Sequence, residues 1–153
     1  MKSVFILSGL LFLVVVFACN RHTPPKVDMG QAEGLLQKWN PLRREWMLKK
    51  LDGADGVLVI KSRASINLTD PAHTSGTAGC NRAVFTASAG AEAEISFSSI
   101  ATTKKFCAEF MKVEERYLAV LPQIRSYEIR GHFIKFKDAS GKVVAEGVAA
   151  DWD

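Results

Sequence analysis

Three cysteines, three histidines and the Asn81-Arg82 pair carry most of the chemistry open to this 153-residue sequence. The cysteines form no Cys-x-x-Cys pair, and His22, His73 and His132 are scattered without a His-x-x-x-His spacing, so the usual zinc ligand sets are missing. No metal and no other cofactor is expected. Cysteine catalysis would need a thiolate on Cys80, a base supplied by His73 or His132, and an orienting group such as Asn81. Nothing in the spacing sets that geometry, and the glycine before Cys80 suits a tight backbone turn. No catalytic residue and no enzymatic activity are therefore expected.

Cys19 has a different chemistry. Met1-Lys2 is a short basic start, Val4 to Phe17 is almost wholly apolar, and Ala18-Cys19 follows, which is the build of a secretory signal ending in a small residue. At ~1.5 Å per helical residue the apolar run reaches roughly 22 Å, short of the ~30 Å hydrocarbon core. Val16-Phe17-Ala18-Cys19 resembles a lipobox, in which cleavage falls just before a cysteine carrying diacylglycerol. Residues 1–18 then read as a lipoprotein signal peptide, and Cys19 as the site of lipidation that holds the chain on a membrane. The alternative is an ordinary signal or anchor with an incidental cysteine.

With Cys19 assigned to lipid, Cys80 and Cys107 are the remaining pair, in a chain bound for a compartment where disulfides persist. A bridge between them is the expected pairing, and two buried free thiols are the alternative. Closing that loop stabilises a small domain by about 3 to 4 kcal/mol in the chain-entropy description. Beside Cys80, Asn81 and Arg82 are candidate partner-binding residues, because the planar guanidinium fork suits carboxylate or phosphate. The plainer expectation is that Asn81 satisfies backbone groups in the turn and Arg82 pairs with Glu109 or Glu114.

The elements that must position these residues begin after a linker. Residues 19–43 hold Thr23-Pro24-Pro25-Lys26 and no sustained apolar period, so they read as a tether. Residues 44–153 make one domain. Trp46 and Leu48 alternate with Met47 and Lys49, Asp52-Gly53 ends that run, and Val57-Leu58-Val59-Ile60 is expected to be the next strand. Further short strands are expected at Ser65 to Thr69, Thr74 to Ala78, Val84 to Ala87, Ile95 to Phe97, Ser126 to Ile129, Phe133 to Lys137 and Lys142 to Val148. Their connections are too short for parallel crossovers, which predicts an antiparallel meander. One segment departs from this pattern. Phe106, Phe110, Val113, Tyr117, Val120 and Leu121 fall on one helical face, and Pro122 stops the run. The fold class is mainly β, of the α+β type: a small, curved or barrel-like antiparallel sheet with one amphipathic helix packed on it.

Removing residues 1–18 takes away one base and no acid, which leaves 19 basic against 16 acidic residues, a net of +3. The basic doublets Arg43-Arg44, Lys49-Lys50 and Lys104-Lys105 sit among no interleaved aromatics, so no nucleic-acid partner is expected.

Gly76-Thr77-Ala78-Gly79-Cys80-Asn81-Arg82 resembles the Gly-x-x-Gly-Cys-Asn-Arg signature of the META domain family, which includes heat-inducible lipoproteins. Trp46-Met47-Leu48 with Leu51-Asp52-Gly53, Ile100 to Cys107, Met111 to Leu121 and Tyr127 to Gly131 are similar to its other blocks, in order, over roughly residues 44–148. Ala83-Val84-Phe85 keeps the family's aromatic and lacks its usual glycine. The resemblance implies a small sheet with a packed helix, an envelope location and no established catalysis. The expected function is that of a monomeric, non-enzymatic envelope lipoprotein concerned with heat or antibiotic stress. It would be anchored through Cys19, at the outer membrane facing the periplasm or the cell surface. Alternatives are a binding or inhibitor module for an envelope protein such as a lysozyme, and a small carrier of an apolar ligand.

Overall fold

In the computed structural model of the protein, the described residues are Gly34 and 40–152. Cys19, His22, the signal residues 1–18 and most of the expected tether lie outside them. After a short 3-10 turn at Asn40–Leu42 come β1 (Glu45–Leu51), α1 (Gly56–Ser62), β2 (Ser65–Asn67), β3 (Ser75–Ala78), β4 (Asn81–Ala89) and β5 (Ile95–Thr102). Then follow α2 (Met111–Val120), a second 3-10 turn at Leu121–Gln123, β6 (Ser126–Arg130), β7 (Phe133–Lys137) and β8 (Val143–Ala149). The eight strands form one sheet in the order β5-β4-β3-β2-β1-β8-β7-β6. Every pairing is antiparallel. The first strand thus pairs with the last, which joins two meanders into one curled sheet. At one end the two outermost strands meet: Glu94 bridges Ser126, Ile95 N–H donates to Arg125 O and Tyr127 N–H to Ala93 O.

Period-two alternation places the core. In β4, Ala83, Phe85 and Ala87 are buried while Arg82, Val84 and Thr86 are exposed. In β1 the alternation breaks at a register shift between Leu48 and Lys50, so Trp46, Leu48 and Leu51 all face inward and the two lysines outward. Phe85, Phe97 and Phe136 pack edge to face inside the curl, with ring centroids 5.4 and 6.1 Å apart. Phe133, on the same strand as Phe136, is outside it.

α2 fills the open side of the curl. Val113, Tyr117, Val120 and then Leu121 are its buried stripe, at i, i+4, i+7 and i+8. The Tyr117 hydroxyl donates to Ser65 O (2.9 Å) over Gly76, where an added Cβ would lie 2.2 Å from both oxygens. Only glycine fits that crossing. Burial pushes the Tyr117 phenol well above its usual pKa.

Two expectations need correction. Val57 to Ile60 is helical, not a strand, so the sheet carries a second helix besides α2. Asp55 caps α1, its carboxylate accepting from the Val57 (2.8 Å) and Leu58 (3.4 Å) N–H groups, and only Val59 and Ser62 become buried. The β preference of Val-Leu-Val-Ile gives way because a cap is in place and β1 already pairs with β2 and β8 on its two edges. Phe106 is also not on the helix face; it is 83 % exposed, and α2 begins five residues later. Residues 103–107 belong to no helix or strand and are held instead by the contacts described next.

Candidate functional site

The Gly76 to Arg82 motif forms the β3–β4 hairpin. Ala78 pairs with Asn81, leaving Gly79 and Cys80 as a two-residue turn. Gly79 has a φ of +75°, which favours glycine, and a Cβ there would lie 2.8 Å from Phe110 Cβ. The turn therefore presses directly on the residue preceding α2. Cys80 and Cys107 are bonded, with Cα atoms 6.4 Å apart, so the expected bridge ties the hairpin to the segment leading into α2. The alternative of two free thiols does not hold.

Asn81 is 1 % exposed and all of its hydrogen-bonding capacity is used. Its Oδ1 accepts from Lys105 N–H (2.8 Å) and from the Thr103 hydroxyl (2.7 Å). Its Nδ2 donates to Lys105 O (2.9 Å) and to Glu114 Oε2 (2.6 Å). The side chain thus acts as an added strand partner for the 103–105 segment while holding α2 by its first turn. Asn81 does satisfy backbone groups, though across the β5–α2 connection and not within its own turn.

Arg82 differs from expectation. Alternation points it away from α2, and neither acid is available: Glu109 pairs with Lys61 of α1, and Glu114 accepts from Asn81. No described residue forms an ion pair or hydrogen bond with its guanidinium. It borders a shallow trough of about 280 Å³ on the outer sheet face, whose other walls include Glu45, Ser65, Asn67, Ser75 and Thr77. Serine and threonine hydroxyls on the floor, a cation at one side and an acid at the other suit a polar, extended group with an anionic end. A larger cleft of about 440 Å³ lies between β1 and β8, but its charges are already matched, Asp52 with Lys142 (3.0 Å) and Lys50 with Glu146 (3.2 Å).

The two described histidines are not brought to Cys80. His73 precedes β3 whereas Cys80 follows it, and the His73 ring lies 2.7 Å from Asp70 Oδ2. That hydrogen bond, with one from Ala72 N–H, holds the exposed Asp70 carboxyl below its usual pKa. His132 stacks on Trp152 at the β6–β7 turn. Thr103, which completes the Asn81 cluster, was not anticipated as a site residue, although it lies within the Ile100 to Cys107 block; Glu114 was expected there only as a partner of Arg82. The aromatic group of His132, Phe133 and Trp152 carried no sequence signal, since its members meet only through the β7–β8 pairing.

Comparison with known proteins places this geometry. Among curated proteins none matches the sequence. Similar solved structures include an NMR structure of a protein from Burkholderia xenovorans, with 19 % identity, a TM-score of 0.53, 84 % of this chain covered and 92 % of that one. A second NMR structure has 15 % identity and a TM-score of 0.52, covering 69 % of this chain and 89 % of its own. At such identities the likeness is one of fold. The META domain profile matches residues 40–151, the whole span from the turn that opens β1 to the segment that follows β8. The chain therefore belongs to the META domain family.

Proposed function

We propose that this chain is a lipid-anchored envelope lipoprotein, non-enzymatic, whose META domain serves envelope integrity or tolerance of heat and antibiotic stress. The observation that carries the reading is the Cys80–Cys107 bond, set behind a cysteine that ends an apolar leader. A structural disulfide persists in an exported domain and not in the reducing cytosol. With both sulfurs bonded, Cys80 offers no thiolate, and the two described histidines lie at other turns, which supports a role without catalysis. A carrier role is disfavoured by the aromatic filling of the curl, where Phe85, Phe97, Phe136, Trp46 and Tyr117 occupy the interior. Among the described residues no helix is long and apolar enough to cross a membrane. Lipid on Cys19 would supply the attachment, at the outer membrane in this reading.

The test is the Cys19→Ser variant expressed in a bacterial host. The parent protein should enter the detergent phase and begin, by mass spectrometry, at a lipid-modified Cys19; the variant should leave that phase or stay unprocessed. Unchanged processing and partitioning would overturn the assignment. A second reading, recognition of an envelope protein, is favoured by Arg82, which stands exposed and unpaired among described residues beside a hydroxyl-lined trough. Arg82→Ala should then abolish capture of a specific partner from envelope extracts without altering the fold, and equal capture by both forms would refute it.

A further inference from the structure

The outer sheet face carries an aromatic patch that neither the disulfide corner nor the core uses. Strand register sets Arg130, Phe133, Val148 and Met47 in one row across β6, β7, β8 and β1. Trp152 packs edge-on against Phe133, with centroids 5.2 Å apart, and lies parallel to the His132 ring at 5.3 Å. Phe133 is 53 % exposed and Trp152 47 %. Arg44 lies 3.4 Å from Asp151 and 3.4 Å from His132 Nδ1, bracing the Trp152 segment against the start of β1. A shallow cleft beside the patch is lined by Asn40, Pro41, Arg44, Ile129 and Gly131, so the described chain enters the domain next to these rings.

We propose that this patch is a membrane-docking surface, which seats the domain on anionic phospholipid headgroups beside its own anchor. The inference rests on the lipidation of Cys19 for its setting, and on the position and chemistry of the patch for its content. Indole and phenyl rings beside cations are the side chains that partition into the headgroup layer. Arg44, Arg130 and Lys135 rim the rings and match anionic headgroups. Asp151, Glu128 and Glu146 offset most of that charge, Asp151 beside Arg44, Glu128 through Arg130 and Lys137, and Glu146 across the register from Lys135, so the rings supply most of the attraction. Residues 20–39 span at most roughly 70 Å, so the patch is always within reach of the bilayer that holds the lipid. Docking is then intramolecular, and an affinity too weak for a free protein suffices.

The experiment uses the full lipidated protein carrying Trp39→Phe, so that Trp152 is the responsive indole beside the fully buried Trp46. It is reconstituted in vesicles of phosphatidylethanolamine and phosphatidylglycerol, with or without brominated acyl chains. Brominated lipid should quench the Trp152 emission by about twofold, as for an indole in the interfacial layer, and Trp152→Phe should remove that response. Phe133→Ser should weaken the quenching while leaving detergent partitioning, and hence anchoring, unchanged. Quenching by aqueous iodide but not by brominated lipid would overturn the proposal. So would protection from both quenchers with concentration-dependent sedimentation, which would mark a face covered by a second copy. Failure of the anchor is recognised separately, by loss of detergent partitioning. In that case brominated vesicles added in excess to Cys19→Ser protein should still quench Trp152, and no response there would also overturn it.

Discussion

Replacing Asn81 by Ala and by Asp separates the two tasks of this side chain. The alanine variant removes four hydrogen bonds and leaves the Lys105 N–H and C=O, the Thr103 hydroxyl and the Glu114 carboxylate without this partner. Neutral bonds of this kind contribute about 1 kcal/mol each and a bond to a carboxylate about twice that, but Thr103 and Lys105 are exposed enough for water to replace part. The expected loss is about 2 to 3 kcal/mol. The aspartate variant keeps the acceptor and loses both donors, placing a carboxylate where Nδ2 now lies 2.6 Å from Glu114 Oε2. Two unit charges ~3 Å apart at an effective dielectric of ~20 repel by roughly 5.5 kcal/mol. Protonating one ordinary carboxyl at neutral pH costs about 4 kcal/mol, so the folded variant takes up a proton in preference to bearing the repulsion. A folded-state pKa raised in this way contributes stability at low pH that is lost as pH rises through it. At pH 7 the aspartate variant should therefore be less stable than the alanine variant. Its deficit relative to wild type should shrink by up to about 1.4 kcal/mol per pH unit on going down to pH 5. Urea unfolding followed by far-UV circular dichroism, with the disulfide kept oxidised, measures all three proteins. A deficit below about 0.5 kcal/mol for the alanine variant, or a pH-independent gap for the aspartate variant, would refute the reasoning.

Other perturbations test the rest of the frame. The double variant Cys80→Ala with Cys107→Ala should lose about 3 kcal/mol, or roughly 10 to 15 °C of Tm, with an unchanged circular dichroism spectrum; a change under about 1 kcal/mol would show that the Asn81 bonds alone hold the corner. Gly76→Ala should cost more than about 3 kcal/mol by chemical denaturation, because the new methyl meets Ser65 O and the Tyr117 hydroxyl. Adding Tyr117→Phe should not rescue it, since Ser65 O remains in place; full rescue would place the clash at the hydroxyl alone. The carboxyls of Glu128, Asp70 and Asp138 are held below their usual range, Glu128 by Lys137 and then Arg130, Asp70 by His73, and Asp138 by Ser140. Their contribution is present above the ordinary carboxylate pKa of about 4 and lost as pH falls through the depressed values, so the urea midpoint should fall below that pH and Glu128→Gln should flatten the fall.

Much of this protein is written in local pattern. Alternating residues in β4, the short connections of the β6–β7–β8 run, and the Val113, Tyr117, Val120 stripe are visible in sequence because strand and helix periods act over a few neighbours. The family motif likewise announced the Gly79-Cys80 turn, and counting cysteines announced the bridge. Tertiary structure alone decided the rest. Whether Val57 to Ile60 pairs or coils depends on Asp55 being free to cap and on β1 having its edges filled by strands from both ends of the chain. Whether Phe106 is buried depends on Asn81 and Cys80, some 25 residues earlier, holding its segment outside the helix. Arg82 lost its expected acids because Lys61 and Asn81 reach them first, competition between groups that the chain order keeps far apart. The patch of Phe133 and Trp152 exists for the same reason: pairing β7 with β8 brings residues together across a separation that no local period spans.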